Sequence, residues 1–131
     1  MTATTPTASD FVLVDSSGWI EFIGDGPKAD AFGKYLLRED SLIVPSIVIY
    51  EVHKKLTLTR NDSALKRFLS HAFRSRQVPF DADLAAAASR ASIDHRLAMA
   101  DAIIYASAQL YQAQLVTADL DFANLPNVVI P

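Results

Sequence analysis

Cysteine is absent from the 131 residues. That excludes disulfides and thiolate metal sites, and it makes a reducing compartment, the cytoplasm, the expected setting. No apolar run approaches the roughly 18 residues of a membrane span, so no membrane partner is expected. A Walker-type glycine loop is missing, and no serine stands in a nucleophile elbow. The histidines, His53, His71 and His95, are scattered beside polar residues and read as solvent-exposed side chains rather than ligands. Residues Met1 to Ser9 are rich in Thr and Ala and lack the basic start and apolar run of a signal peptide. They read as a flexible tail before a single domain over residues 10–131.

What is present is ordinary globular composition, 50% hydrophobic and 21% charged. The net charge of −3 conceals an uneven distribution. Residues 1–53 carry a balance of −5, residues 54–76 of +6 and residues 77–131 of −4. A basic block inside an acidic chain points to an anionic partner met on one face, or to a solvated helix surface.

Short apolar runs alternate with helical periodicity. Phe11 to Val14 predicts a buried strand that stops on Asp15. Ser16, Ser17 and Gly18 turn the chain toward a short helix around Trp19 to Ile23, with Trp19 and Phe22 suited to a core or dimer surface. Gly24 to Pro27 breaks it. Lys28 to Arg38 has helical spacing. Leu42 to Val44 is a second strand, followed by a helix capped by Ser46 and running through Glu51 to about Thr59. Asn61 to Ser63 reads as a turn and cap before a helix from Ala64 to Arg76. Val78 to Phe80 is a third strand. Asp81 or Asp83 caps an alanine-rich helix to about His95, whose small side chains permit close packing. Asp101 opens, or nearly opens, a helix ending near Gln112. Leu115 to Thr117 and Val128 to Ile130 are the last strands. This alternation predicts a three-layer α/β/α sandwich around a central, mostly parallel sheet of four or five strands.

Four acids stand out in that frame. Asp15 and Asp119 follow strand ends, where ligands bind in open α/β sheets. Glu51 and Asp101 lie in apolar helical turns. Each has an ordinary structural role open to it: Asp15 as a cap, Asp101 near a helix N-terminus, Asp119 and Asp121 in local turns, Glu51 paired with Lys54 or Lys55. Yet carboxylates are rarely buried unless paired or bound to metal. Gathered together they repel, and a cation must neutralise them or some must protonate. Oxygen ligands alone suit a hard cation, Mg²⁺ or Mn²⁺.

At these residues the chain resembles the PIN-domain ribonucleases, specifically the VapC-type toxins of bacterial toxin–antitoxin pairs. The resemblance runs from Phe11 to Ile130. It is carried by Val14-Asp15-Ser16-Ser17, by Pro45-Ser46 followed by Glu51, by Met99-Ala100-Asp101-Ala102-Ile103-Ile104, and by Leu115-Val116-Thr117-Ala118-Asp119-Leu120-Asp121-Phe122. It implies a metal-dependent endoribonuclease whose catalytic acids Asp15, Glu51, Asp101 and Asp119 hold one or two ions, with Asp121 the runner-up for the fourth place. Ser17 and Thr117 match positions whose hydroxyls order the site. A cognate antitoxin and homodimerisation are expected on the same grounds. Lys54 and Lys55, one turn beyond Glu51, and Arg60 are expected to guide the RNA backbone. Two alternatives stand beside this reading. One is a PIN-like module that binds RNA or protein without catalysis. The other is a phosphatase with Asp15 as nucleophile, although such enzymes want an acid two residues on, where this chain has Ser17.

Overall fold

The strand that ends on Asp15 lies in the middle of the sheet. The structure, a computed structural model, describes residues 10–131, so the expected tail over residues 1–9 lies outside the described residues. Strand β1 (Val12–Val14) is buried throughout. It pairs in parallel with β4 (Gln114–Val116), which pairs in parallel with β5 (Val128–Val129). A second parallel ladder joins β2 (Ile43–Pro45) to β3 (Arg76–Val78). One parallel bridge, Val12 to Leu42, sets the two ladders side by side in the order β3-β2-β1-β4-β5. The chain therefore moves outward from β1 through β2 to β3, then returns to the other side of β1. Its direction reverses between β1 and β4, which makes their carboxyl ends the switch point where an open α/β sheet binds ligands. The three-layer α/β/α architecture is as expected, and every strand pairing among the described residues is parallel.

Helices α1 (Ser16–Ile23), α2 (Ala29–Leu36), α3 (Ser46–Leu58), α4 (Asp62–Arg74), α5 (Ala82–His95) and α6 (Met99–Leu110) complete the fold. Several boundaries differ from the sequence expectation for physical reasons. Helix α1 starts at Ser16 rather than near Trp19, because Asp15 caps it by accepting the Gly18 amide. Ser46 does not cap α3. Pro45 holds the cap position without a side-chain bond, and the Ser46 hydroxyl donates to the Val78 carbonyl at 3.4 Å. Strand β3 covers Arg76–Val78 and not Val78 to Phe80, because Pro79 has no amide to extend the ladder. Asn61 caps α4 and Asp81 caps α5, both through the amide three residues on.

Trp19, Phe32 and Phe68 are fully buried, and Trp19 meets Phe68 edge to face at 5.0 Å. Phe22 is half-buried against the same core. Gly18 is there for space: a Cβ would come within 2.7 Å of the Phe32 ring. Helices α5 and α6 make the most extensive helix pairing among the described residues, with Ala88, Ala91, Ala102 and Ala106 buried. Of the histidines only His53 is exposed as expected. His71 is half-buried, its Nδ1 2.9 Å from Glu39, and His95 packs edge-on against Tyr105. No helix among the described residues is long and apolar enough to cross a membrane.

Candidate active site

Asp15 leaves β1 at the switch point, and only 3% of it is exposed. Its amide donates to the Val116 carbonyl at 3.1 Å, which extends the β1–β4 ladder by one residue. Its carboxylate accepts three hydrogen bonds. Ser17 Oγ and the Gly18 amide donate to Oδ1 at 2.6 and 3.2 Å, and Thr117 Oγ1 donates to Oδ2 at 2.6 Å. Burial nevertheless holds the Asp15 pKa above the usual carboxylate range. The three donors oppose that rise, and the nearby Asp119 charge adds to it.

Thr117, fully buried at the end of β4, passes the connection on. Its Oγ1 accepts the Asp119 amide at 2.9 Å. Asp119 in turn accepts the Asp121 amide at 2.9 Å and caps a short 3-10 turn, Leu120–Phe122. That turn presents both acids to Asp101, in the first turn of α6. One carboxylate oxygen from each of Asp101, Asp119 and Asp121 lies within 4.8 Å of the others. Glu51 comes from α3 and is held by the Ser16 hydroxyl, which donates to its Oε1 at 2.8 Å.

The electrostatics unite these pieces. The Asp101 pKa is raised to about 6, first by burial and then by the charges of Asp119, Asp121, Glu51 and Asp15. Asp101, Asp119 and Asp121 thus crowd one place, and the charges of Glu51 and Asp15 are felt there as well.

The sequence profile of the PIN domain matches residues 12–128. The chain belongs to the PIN domain family. Its fold resembles that of solved structures below 25% identity. A toxin–antitoxin complex from Klebsiella pneumoniae aligns at 23% identity and a TM-score of 0.78, covering 92% of this chain and 97% of that one. VapC20 of Mycobacterium tuberculosis, a sarcin–ricin loop cleaving toxin, aligns at 18% identity and a TM-score of 0.73, covering 92% and 99%. VapBC2 of Rickettsia felis, bound to a DNA fragment from its promoter, aligns at 20% identity and a TM-score of 0.71, covering 92% and 97%. Comparison with curated protein sequences gave no match.

In this PIN domain Asp101 and Asp119 come together with Asp121, one carboxylate oxygen of each within 4.8 Å of the others, whereas Asp15 and Glu51 stand outside that group and act on Asp101 through their charge. Glu51 takes its bond from Ser16; the ion pairs among the described residues, both on Glu39, include neither Lys54 nor Lys55. Ser17 and Thr117 do order the first carboxylate. Sequence reasoning misses Ser16, although two successive hydroxyls opening a helix point about 100° apart and so reach different partners. Lys54, Lys55 and Arg60 are exposed on α3 and the turn after it. The donor set fits a hard divalent cation: Asp101, Asp119 and Asp121 offer closely spaced carboxylate oxygens, and burial first, then the neighbouring charges, drives Asp101 toward protonation.

Proposed function

We propose that this PIN domain is a Mg²⁺- or Mn²⁺-dependent endoribonuclease acting in the cytoplasm as the toxin of a toxin–antitoxin pair, as a homodimer restrained by a cognate antitoxin. The observation that carries the reading is the grouping of Asp101, Asp119 and Asp121, one carboxylate oxygen from each within 4.8 Å of the others. Family membership supports it, as does the likeness in fold to toxin–antitoxin proteins, one of them an RNA-cleaving toxin.

Asp15, Glu51, Asp101 and Asp119 hold the cation, with Asp121 beside them. A bound divalent ion neutralises the acids and supplies Lewis-acid charge to the phosphodiester. The chain's own part is positional. Ser17, Gly18 and Thr117 lock the Asp15 carboxylate, and Ser16 turns Glu51 toward the site. A site carboxylate accepts a proton from the water whose oxygen bonds to phosphorus, the P–O bond to the ribose oxygen breaks, and that leaving oxygen takes up a proton from solvent. Lys54, Lys55 and Arg60 offset the repulsion between the acids and an RNA backbone.

An Asp15 nucleophile is disfavoured, because the position two residues on, where such an enzyme wants an acid, holds Ser17, whose hydroxyl donates to Asp15. The test is incubation of the pure protein with total RNA and with a phosphomonoester, with Mn²⁺ and with chelator. RNA cleavage only with the ion, and no phosphomonoesterase activity, is expected. Inert RNA with hydrolysed monoester would overturn the reading.

A further inference from the structure

Glu39 gathers the ion pairs of the described residues. It lies in the 3-10 turn Glu39–Ser41, just before β2. His71 Nδ1 and Arg74 Nη2, both near the end of α4, each stand 2.9 Å from its Oε2, and Arg74 Nε donates to the same oxygen at 3.2 Å. Arg74 also donates to the Ser70 hydroxyl, which steadies the guanidinium on its own helix. Strand β3 follows α4 directly and pairs with β2 in parallel. One carboxylate thus fastens the entrance of β2 to the exit of α4 and closes the β2–α3–α4–β3 crossover.

His71 touches a third element. Its ring centroid lies 6.1 Å from that of Trp19 on α1, and Trp19 also packs on Phe68. The groups that face His71 are therefore Glu39 from the 3-10 turn, Arg74 from its own helix and the Trp19 ring from α1. The side chains of His71 and Glu39 are 27% and 32% exposed, so protons reach the pair from solvent. Arg74 keeps its charge throughout the working pH range. Glu39, held below the usual carboxylate range chiefly by its hydrogen bond to Arg74, keeps its own in mild acid. A histidine facing such a carboxylate adds a second cation to it in mild acid and only a hydrogen bond above.

We propose that Glu39, His71 and Arg74 form a pH-sensitive clasp, in which protonation of His71 tightens the crossover that carries Glu51 and is felt by α1 through Trp19. The clasp is independent of the nuclease reading, since none of its three residues belongs to the acid site. Both helices that it steadies nevertheless serve that site: α1 presents Ser16 and Ser17, and α3 presents Glu51. Mild acid therefore firms the frame around the acids.

The test reads the pure protein at about pH 5.5 and about pH 8. Trp19 is the one tryptophan of the chain, so its fluorescence reports this contact. A protonated imidazole beside an indole quenches its emission, and a neutral one does so far less. Wild-type emission should fall on acidification, and in His71→Gln it should stay level. Melting temperatures of wild type, Glu39→Gln, His71→Gln and the double variant form a cycle. The Glu39–His71 coupling should be about 1–4 °C at the lower pH and less than half of that at the higher. Glu39→Gln alone, which keeps His71, should fall further below wild type in acid than at the higher pH. Coupling that is equal at both pH values, or an emission change that persists undiminished in His71→Gln, overturns the clasp.

Discussion

Thr117 donates its hydroxyl to Asp15 at 2.6 Å across the seam between β4 and β1, and the same oxygen accepts the Asp119 amide at 2.9 Å. One buried side chain thus fixes an acid from each of the two strand ends at the switch point. Thr117→Val keeps the shape and removes both bonds. A buried carboxylate oxygen and an amide then lose a partner, at about 1–3 kcal/mol. Urea unfolding should show that loss, and the Mn²⁺-induced rise in melting temperature should shrink. A variant as stable as wild type with an unchanged metal response would contradict the role given to Thr117.

Removing charge from the acid cluster should stabilise the metal-free protein. Asp101 is raised to about 6 because burial and four neighbouring acids disfavour its anion. Asp101→Asn ends that repulsion at neutral pH, so its melting temperature in chelator should exceed that of wild type. In millimolar Mn²⁺ the order should reverse, since the ion stabilises only the state that binds it. Scanning calorimetry under both conditions decides; the same order in both would mean that Asp101 does not hold a cation.

The same group sets a pH dependence. The folded pKa of Asp101 is about 6 and its ordinary value is 3.8. Between those values the folded protein binds more protons than the unfolded chain, so stability rises as pH falls through this window. Burial raises Asp15 in the same direction. Glu39, lowered chiefly by its hydrogen bond to Arg74, acts oppositely, and its contribution is lost only as pH falls through its depressed value. The advantage of Asp101→Asn over metal-free wild type should therefore shrink as pH falls from about 7 to about 5. A constant gap between the two melting temperatures would show that Asp101 titrates normally.

Much of this site is readable in the chain because its parts end short apolar runs. Val12-Leu13-Val14 and Gln114-Leu115-Val116 are strands by composition, and a parallel sheet puts the acids beyond their carboxyl ends at one edge. Asp101 is conspicuous as a charge in an apolar turn. The parts that are not readable depend on contacts between distant segments. Ser16 and Glu51 are 35 residues apart, and only the packing of α1 on α3 makes them partners. Asp121 is named by the sequence as runner-up for the fourth place, but that it stands beside both Asp101 and Asp119 follows from the turn Leu120–Phe122, which no periodicity announces. His71 stands beside polar residues in the chain, yet Glu39 from before β2 reaches it and half-buries it. The third strand lies earlier than its apolar run suggests, because the ladder must stop at Pro79.

Gly18 ties the packing of the fold to the site. It sits in the first turn of α1, its amide capped by Asp15, with Val14 and Phe32 against its Cα. Gly18→Ala would bring a methyl within 2.7 Å of the Phe32 ring, and overpacking of this kind costs about 1–3 kcal/mol. Because the strain falls one turn from Asp15, metal affinity should drop together with stability. Chemical denaturation and Mn²⁺ titration test this; wild-type values in both would mean that the turn relaxes freely.

The most direct measurement is the rate at which purified protein cleaves single-stranded RNA as Mn²⁺ is added, for wild type and for Asp15→Asn, Glu51→Gln, Asp101→Asn and Asp119→Asn. The account predicts no cleavage in chelator, cleavage that rises with the ion for wild type, and loss of most activity in each variant while it remains folded. Asp121→Asn should be milder, its carboxylate being the exposed member of the cluster. Full activity in Asp15→Asn and Asp101→Asn, or cleavage indifferent to chelator, would contradict a metal-dependent ribonuclease built on these acids.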